Sequence, residues 1–222
     1  MIGLLIQDNA YEQDIRELLM SFYPGEAYAH EVKDGVSFYV ESRLGEGEVS
    51  LRIWERAERA ADGEEALLTD CPPAPTESDR ACPPSGLEGW RCVSHGSRKT
   101  DLSDRTETKN VVKKLFYQML VQRTGKELPW GSLTGIRPTK IALSRLMEGW
   151  REEDIRSFMK ETYLASDEKI NLCIEIGARE KELLAPLDYE RGYSLYVGIP
   201  FCPTTCLYCS FTSYPVSKWK GR

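Results

Sequence analysis

Three cysteines in the last part of the chain carry the clearest chemical pattern in the sequence. Cys202-Pro203-Thr204-Thr205-Cys206-Leu207-Tyr208-Cys209 reads CxxxCxxC. A closed structural zinc site needs four ligands, usually supplied as two pairs, and three thiolates fall short of that number. Three is the number that holds three irons of a [4Fe–4S] cube, and thiolates suit that cluster. Such spacing lets one loop wrap the cube while the fourth iron stays open to an exogenous ligand. A zinc site completed from elsewhere in the chain and three unconnected thiols are the alternatives the spacing leaves open.

A second constellation is less specific. Trp130-Gly131-Ser132-Leu133-Thr134-Gly135-Ile136-Arg137-Pro138-Thr139-Lys140 gathers two glycines, hydroxyls, an arginine and a lysine ahead of a helical pattern. Backbone N–H groups and the helix dipole favour negative charge at such a place, and Pro138 suits a first helical turn. The spacing is not that of a Walker loop, so the segment reads either as an anion site or as a structural helix start. From Lys109 to Arg151 nine basic residues stand against two acidic ones, which fits an anion-binding face or a solvated helix surface. Cys71, Cys82 and Cys92 could be grouped with His95. Their long intervals are unlike the short loops that place two ligands on one metal, so they read as incidental thiols.

The elements that must position these residues follow from periodicity. Ile2 to Ile6 is a buried-strand run, and Tyr11, Ile15, Leu18, Leu19 and Phe22 then trace one helical stripe behind a capping box at Asn9 and Glu12, ended by Pro24-Gly25. Val36-Phe38-Val40 and Val49-Leu51-Ile53 alternate with polar residues around Gly45-Glu46-Gly47, a hairpin. From Glu55 to Arg80 there are eight acidic residues and three basic ones, followed by Pro-rich sequence around Cys71 and Cys82. No periodicity returns before Lys109, so this stretch reads as a flexible insertion. Val111 to Leu120, Ile141 to Met147, Ile155 to Leu164 and Ile170 to Leu184 carry helical spacing, with Ser166 as an N-cap and Cys173 as a small core residue. Tyr193 to Ile199 is a strand pattern that Pro200 ends, immediately before the cysteine loop.

Composition bounds the whole. The chain has 222 residues and a formal net charge of −6, with 41% hydrophobic and 10% aromatic residues, and its pI is near 5.2. That balance excludes general disorder and argues against nucleic acid as a partner. No apolar run approaches the roughly 20 residues that span a bilayer, and the first residues lack the basic region of a signal peptide. The expected setting is cytoplasmic and reducing, where seven cysteines serve as thiols or ligands.

Read with Tyr196-Val197-Gly198-Ile199-Pro200-Phe201 ahead of Cys202, the CxxxCxxC loop is similar to that of the radical S-adenosylmethionine superfamily, and it resembles the oxygen-independent coproporphyrinogen III dehydrogenase branch. Together with the N-terminal extension and the Leu133-Thr134-Gly135-Ile136-Arg137-Pro138-Thr139-Lys140 loop, the chain resembles the HemZ-type subgroup. The resemblance implies an oxidoreductase of porphyrin and haem biosynthesis that oxidatively decarboxylates propionate side chains. It implies a [4Fe–4S] cluster on Cys202, Cys206 and Cys209, with S-adenosyl-L-methionine as second cofactor, Tyr208 packed on its adenine and Tyr196 beside it. It also implies a tetrapyrrole substrate, coproporphyrinogen III or similar, and an electron donor such as flavodoxin or ferredoxin. The related coproporphyrinogen enzymes carry histidine where this chain has Gly198 and cysteine where it has Phe211. The Cys-x-Phe ending is shared with haem-chaperone-like relatives, so a haem-binding protein with little turnover is the alternative.

The expected fold is α/β: a small α/β domain over residues 1–56, a flexible acidic insertion over 57–108, a helical segment with basic faces over 109–190, and over 191–222 the first strand and cluster loop of a radical S-adenosylmethionine (β/α) barrel. Such barrels run to about 200 residues or more, whereas 13 residues follow Cys209. The expectation is therefore an N-terminal fragment with a truncated barrel, inactive by itself.

Overall fold

The first strand is set by its own composition: β1, Ile2–Ile6, is an apolar run whose Ile2 and Leu4 side chains are buried on one face, with Leu5 half-buried on the other. The computed structural model describes residues 1–57, 84–135, 137–188, 191–193, 195–204, 206, 209, 211 and 213–218. Cys71, Cys82, Ile136 and Tyr208 therefore lie outside the described residues. Two units are present, Met1–Lys181 and Glu182–Arg222, and together they form a mixed α/β structure.

After β1 the chain makes a single 3-10 turn, Asn9–Tyr11, and enters α1, Glu12–Phe22. The cap is Asp8, whose extended backbone leaves its carboxylate free to accept the Ala10 N–H at 2.9 Å. The capping box expected of Asn9 and Glu12 does not form; Asp8 caps the 3-10 turn, and α1 starts from Tyr11 without a side-chain cap. β2 is Tyr28–Ala29, and β3, Phe38–Gly45, and β4, Glu48–Arg56, form the expected hairpin. Its two-residue turn places Glu46 at φ 52° and Gly47 at φ 74°, the left-handed pair that matches strand twist.

The sheet continues into the stretch that composition assigns to the insertion. Trp90–Lys99 is β5, antiparallel to β4, and the strand order is β2-β1-β3-β4-β5 with β1 parallel to both neighbours. Two features hide β5 in the sequence. The register shifts between Ile53 and Trp54, which breaks the alternation, and Gly96 stands where an apolar side chain would mark the core face. An added Cβ at Gly96 would lie 2.7 Å from a Leu115 methyl, so the glycine lets the next helix approach the strand. That helix is α2, Arg105–Thr124, capped by Asp104 and closed by Gly125 at φ 67°.

α1 and α2 cover one face of the sheet. Ile15, Leu18 and Leu19 from α1 and Val112, Phe116 and Leu120 from α2 join Leu4, Val40, Leu51 and Ile53 in one core. On the other face Tyr39, Trp54 and Leu87 form a smaller cluster. Tyr39 lies over Gly3, where an added Cβ would sit 2.0 Å from its ring, and its hydroxyl accepts the Lys33 N–H and donates to the Lys33 carbonyl.

Three further helices follow the expected spacing: α3, Thr139–Met147, α4, Glu152–Tyr163, and α5, Asp167–Leu184. They enclose a second core that includes Leu146, Ile155, Met159, Ile170 and Cys173. Ser166 accepts the Lys169 N–H at 3.4 Å, the N-cap expected of it. Among the described residues no helix is long and apolar enough to cross a membrane.

Candidate metal centre

In the second unit the strand pattern over 193–199 does not become a strand. Among the described residues of that segment no strand pairing occurs, and Tyr196 is 81% exposed. β-forming side chains favour a strand only when a neighbouring strand takes up the backbone groups. Pairing begins two residues later: Phe201–Cys202, β6, runs parallel to Tyr214–Pro215, β7, with Cys202 opposite Pro215. The Tyr214 N–H donates to the Pro200 carbonyl at 2.6 Å, and the Phe201 and Tyr214 rings lie 6.2 Å apart. The two ends of the cysteine loop are thereby tied together.

Within the loop the Cys209 N–H donates to the Cys206 carbonyl at 3.0 Å, so these two residues share a single turn. The Cys209 thiol donates to the Phe211 carbonyl at 3.7 Å. Cys202, Cys206 and Cys209 are all free thiols; Cys206 is exposed and the other two are half-buried. Among the described residues no three Cys, His, Asp or Glu side chains are gathered at metal-holding distance. The three thiols are close in sequence and tied by backbone, yet they do not converge on a point, as expected where ligand and loop order together. Their donor chemistry fits an iron–sulfur cluster: soft, uncommitted sulfurs on one loop closed by β6 and β7. The β6–β7 closure was not anticipated, because a two-residue strand leaves no periodic signal. Tyr196 lies next to Gly198, at which an added Cβ would come within 3.0 Å of the tyrosine ring.

The basic loop has other work. Thr134 accepts from the Lys113 ammonium at 2.6 Å and donates to the Glu17 carboxylate at 2.6 Å, joining α2, the loop and α1. Lys113 and Lys109 also reach Asp14, at 3.8 and 2.9 Å. Burial pulls the Lys113 pKa below that of an ordinary lysine, against the opposing pull of Asp14. Burial pushes Glu17 the other way, but the hydrogen bonds from Thr134 and Gln13 and the charges of Lys113 and Lys109 outweigh it and hold the carboxyl below its usual pKa. Ser132 donates to the Tyr163 carbonyl at 3.2 Å, and Arg137 pairs with Glu180 at 2.5 Å. Thr134, Ser132 and Arg137 each find a partner on a helix or at its end, which makes the loop a clasp between α1, α2, α4 and α5. These bonds support the structural reading of the segment. Of the other thiols, Cys173 is buried in the helical core and Cys92 is half-buried on β5.

Comparison with curated proteins supplies the family. The chain is 35% identical over 179 residues to the oxygen-independent coproporphyrinogen-III oxidase-like protein HemZ of Bacillus subtilis (strain 168), a match over 77% of this chain. The chain belongs to the HemZ-type family. It spans about a third of the length of that HemZ relative, 35%. No family model matches the chain, and no solved structure matches it. A match of that length takes in most of the first unit.

Proposed function

We propose that the CxxxCxxC loop is the [4Fe–4S] site of a radical S-adenosylmethionine oxidoreductase. The whole protein to which it belongs then acts on the propionate side chains of coproporphyrinogen III or a similar tetrapyrrole. The observation that carries this reading is a set of three free thiols within eight residues, in a chain of the HemZ-type family. Bound in this loop, the cluster supplies an open iron for S-adenosylmethionine and the electron for its reductive cleavage.

The chain's own residues have distinct tasks in this reading. Cys202 presents its sulfur from β6, while Cys206 and Cys209 present theirs from the two ends of one turn. Each thiol gives up its proton on ligation. Tyr208 covers the adenine and Tyr196 flanks the same cofactor. Gly198 leaves open a position where related coproporphyrinogen enzymes carry histidine. The segment over 191–222 supplies the cluster loop at the C-terminal mouth of a β/α barrel, where such barrels place their active sites, and residues 193–199 take up the first barrel strand only when a neighbouring strand pairs with them. Free thiols suit a reducing cytoplasm, and a flavodoxin or ferredoxin serves as electron donor.

Anaerobic reconstitution with iron and sulfide tests the site. The expected result is about four irons per chain with a thiolate-to-iron absorption band, and loss of most of that iron in Cys202→Ala, Cys206→Ala and Cys209→Ala. Undiminished iron in the triple variant would overturn the assignment. Phe211 and Gly198 favour a second reading, a haem-binding, chaperone-like relative with little turnover. A Soret band at one haem per protein, without decarboxylated product from coproporphyrinogen III, would decide for it.

A further inference from the structure

β5 is an outer strand of the five-stranded sheet and carries an unusual charge pattern. Arg91, Arg98 and Lys99 lie on it with His95, all four exposed, and it contains no carboxylate. Among the described residues none of the three cations forms an ion pair. By contrast, Arg43, Arg123, Arg137, Arg145 and Arg151 each hold a carboxylate. The neighbouring strand does not neutralise them either. Glu55, opposite Arg91, is taken by Arg123 at 2.5 Å, and Glu48 stands opposite Lys99 without closing a pair. The Arg98 guanidinium spends one N–H on the Ser97 carbonyl at 3.0 Å, leaving four of its five donors.

Beside this strand runs a groove of about 630 Å³. His95, Gly96 and Arg98 form one wall and Leu115 and Met119 of α2 another, with Leu164 at one end. Gln118, Gln122 and Glu127 also line it, so amides and one carboxylate stand among apolar side chains, and the carboxylate favours apolar rather than acidic side chains within the groove itself. A strand edge, an apolar trough with two amides, and cations that hold no carboxylate among the described residues form a combination suited to one kind of partner. An extended peptide satisfies the edge with its backbone and sends alternate side chains to opposite sides.

We propose that β5 and its groove are a docking site for an extended acidic segment of a partner protein. That segment adds to the sheet as a sixth strand, with its apolar side chains in the groove on the Gly96 face and its carboxylates toward Lys99 on the opposite face, while Arg91 and Arg98 add positive charge on the groove side. Cations along an edge repel a second copy of the same edge, which limits self-pairing and leaves the site to a strand of opposite charge. The proposal does not depend on what the cysteine loop binds.

The test uses the full chain and a fluorescein-labelled peptide of four Glu-Val repeats, with Lys-Val and Glu-Pro repeats as controls. Polarisation at low salt should show saturable binding of the Glu-Val peptide only, weakening as salt is raised. In Arg98→Glu/Lys99→Glu the affinity should fall by about tenfold or more, and amide exchange in Trp90–Lys99 should slow only when the peptide is bound to the parent chain. If the charge-reversed chain melts at a lower temperature, Arg98→Gln/Lys99→Gln replaces it, with a smaller loss expected. Equal binding of the Lys-Val peptide, unchanged affinity in a folded variant, exchange protection confined to other segments, or no saturation by about 1 mM would each overturn the proposal.

Discussion

The Thr134 hydroxyl donates to the Glu17 carboxylate at 2.6 Å, across 117 positions of sequence. With Lys113 donating to the Thr134 hydroxyl oxygen, a single side chain ties the sheet-covering helices to the loop that starts the helical core. Thr134→Val keeps the shape and removes both bonds. Hydrogen bonds to charged groups are each worth about 1.5–3 kcal/mol, and with partial exposure the expected loss is about 1–2 kcal/mol, read from urea unfolding of the parent and variant.

Glu17 should also leave a signature in acid. Its folded-state pKa lies below its ordinary value of 4.5, so the folded carboxyl holds its proton less readily than the unfolded one. The stabilisation is complete above the ordinary value and is lost as pH falls through the lower, folded-state value. In Glu17→Gln that part of the acid limb should be flatter in a stability-versus-pH series. Identical slopes for parent and variant would show that Glu17 is not held this way.

Gly131 is constrained twice. It sits at φ 56°, and an added Cβ would meet the Tyr163 carbonyl oxygen at 2.1 Å and Leu164 backbone at 2.5 Å. Since backbone cannot rotate aside as a flexible side chain can, Gly131→Ala should cost roughly 2–4 kcal/mol. Gly135, with nothing within 4 Å of such an atom, provides the control, and Gly135→Ala should change the melting temperature little.

Gly3 and Tyr39 form a coupled pair. In Gly3→Ala the new methyl occupies the position of the buried Tyr39 ring, and the expected cost is about 2–4 kcal/mol. With Tyr39→Ala already present the same substitution should cost much less, giving a coupling energy that a double-mutant cycle reads directly. Additive effects would place the glycine's importance elsewhere.

How much of this was legible in the sequence varies with the kind of signal. The run Ile2–Ile6, the stripe of α1 and the spacing of α3 to α5 announce themselves because each buries one face against one core. The β3–β4 hairpin is equally plain from Gly45-Glu46-Gly47. β5 was lost to a bulge and to Gly96, whose role is to be absent from the core face. The strand expected over 193–199 failed for the opposite reason, since propensity is written in the residues but pairing is supplied by another strand. At the candidate site, Cys202, Cys206 and Cys209 stand out by spacing alone, while the closure of their loop by Tyr214 on Pro200 is written in no pattern. The loop around Thr134 was read correctly as glycine-, hydroxyl- and cation-rich, but its partners Glu17, Tyr163 and Glu180 are distant in sequence and could come only from the fold.

Cys173 turns the helical core into its own clock. Its side chain is fully enclosed and its burial pushes the thiol pKa up, so a thiol reagent can reach it only during an opening of α5 from its neighbours. The cysteines of the 202–209 loop, exposed or half-buried, should react first and separately. With Cys71, Cys82 and Cys92 replaced by serine, the slow remaining phase times the opening of one core within a larger molecule, without any introduced label.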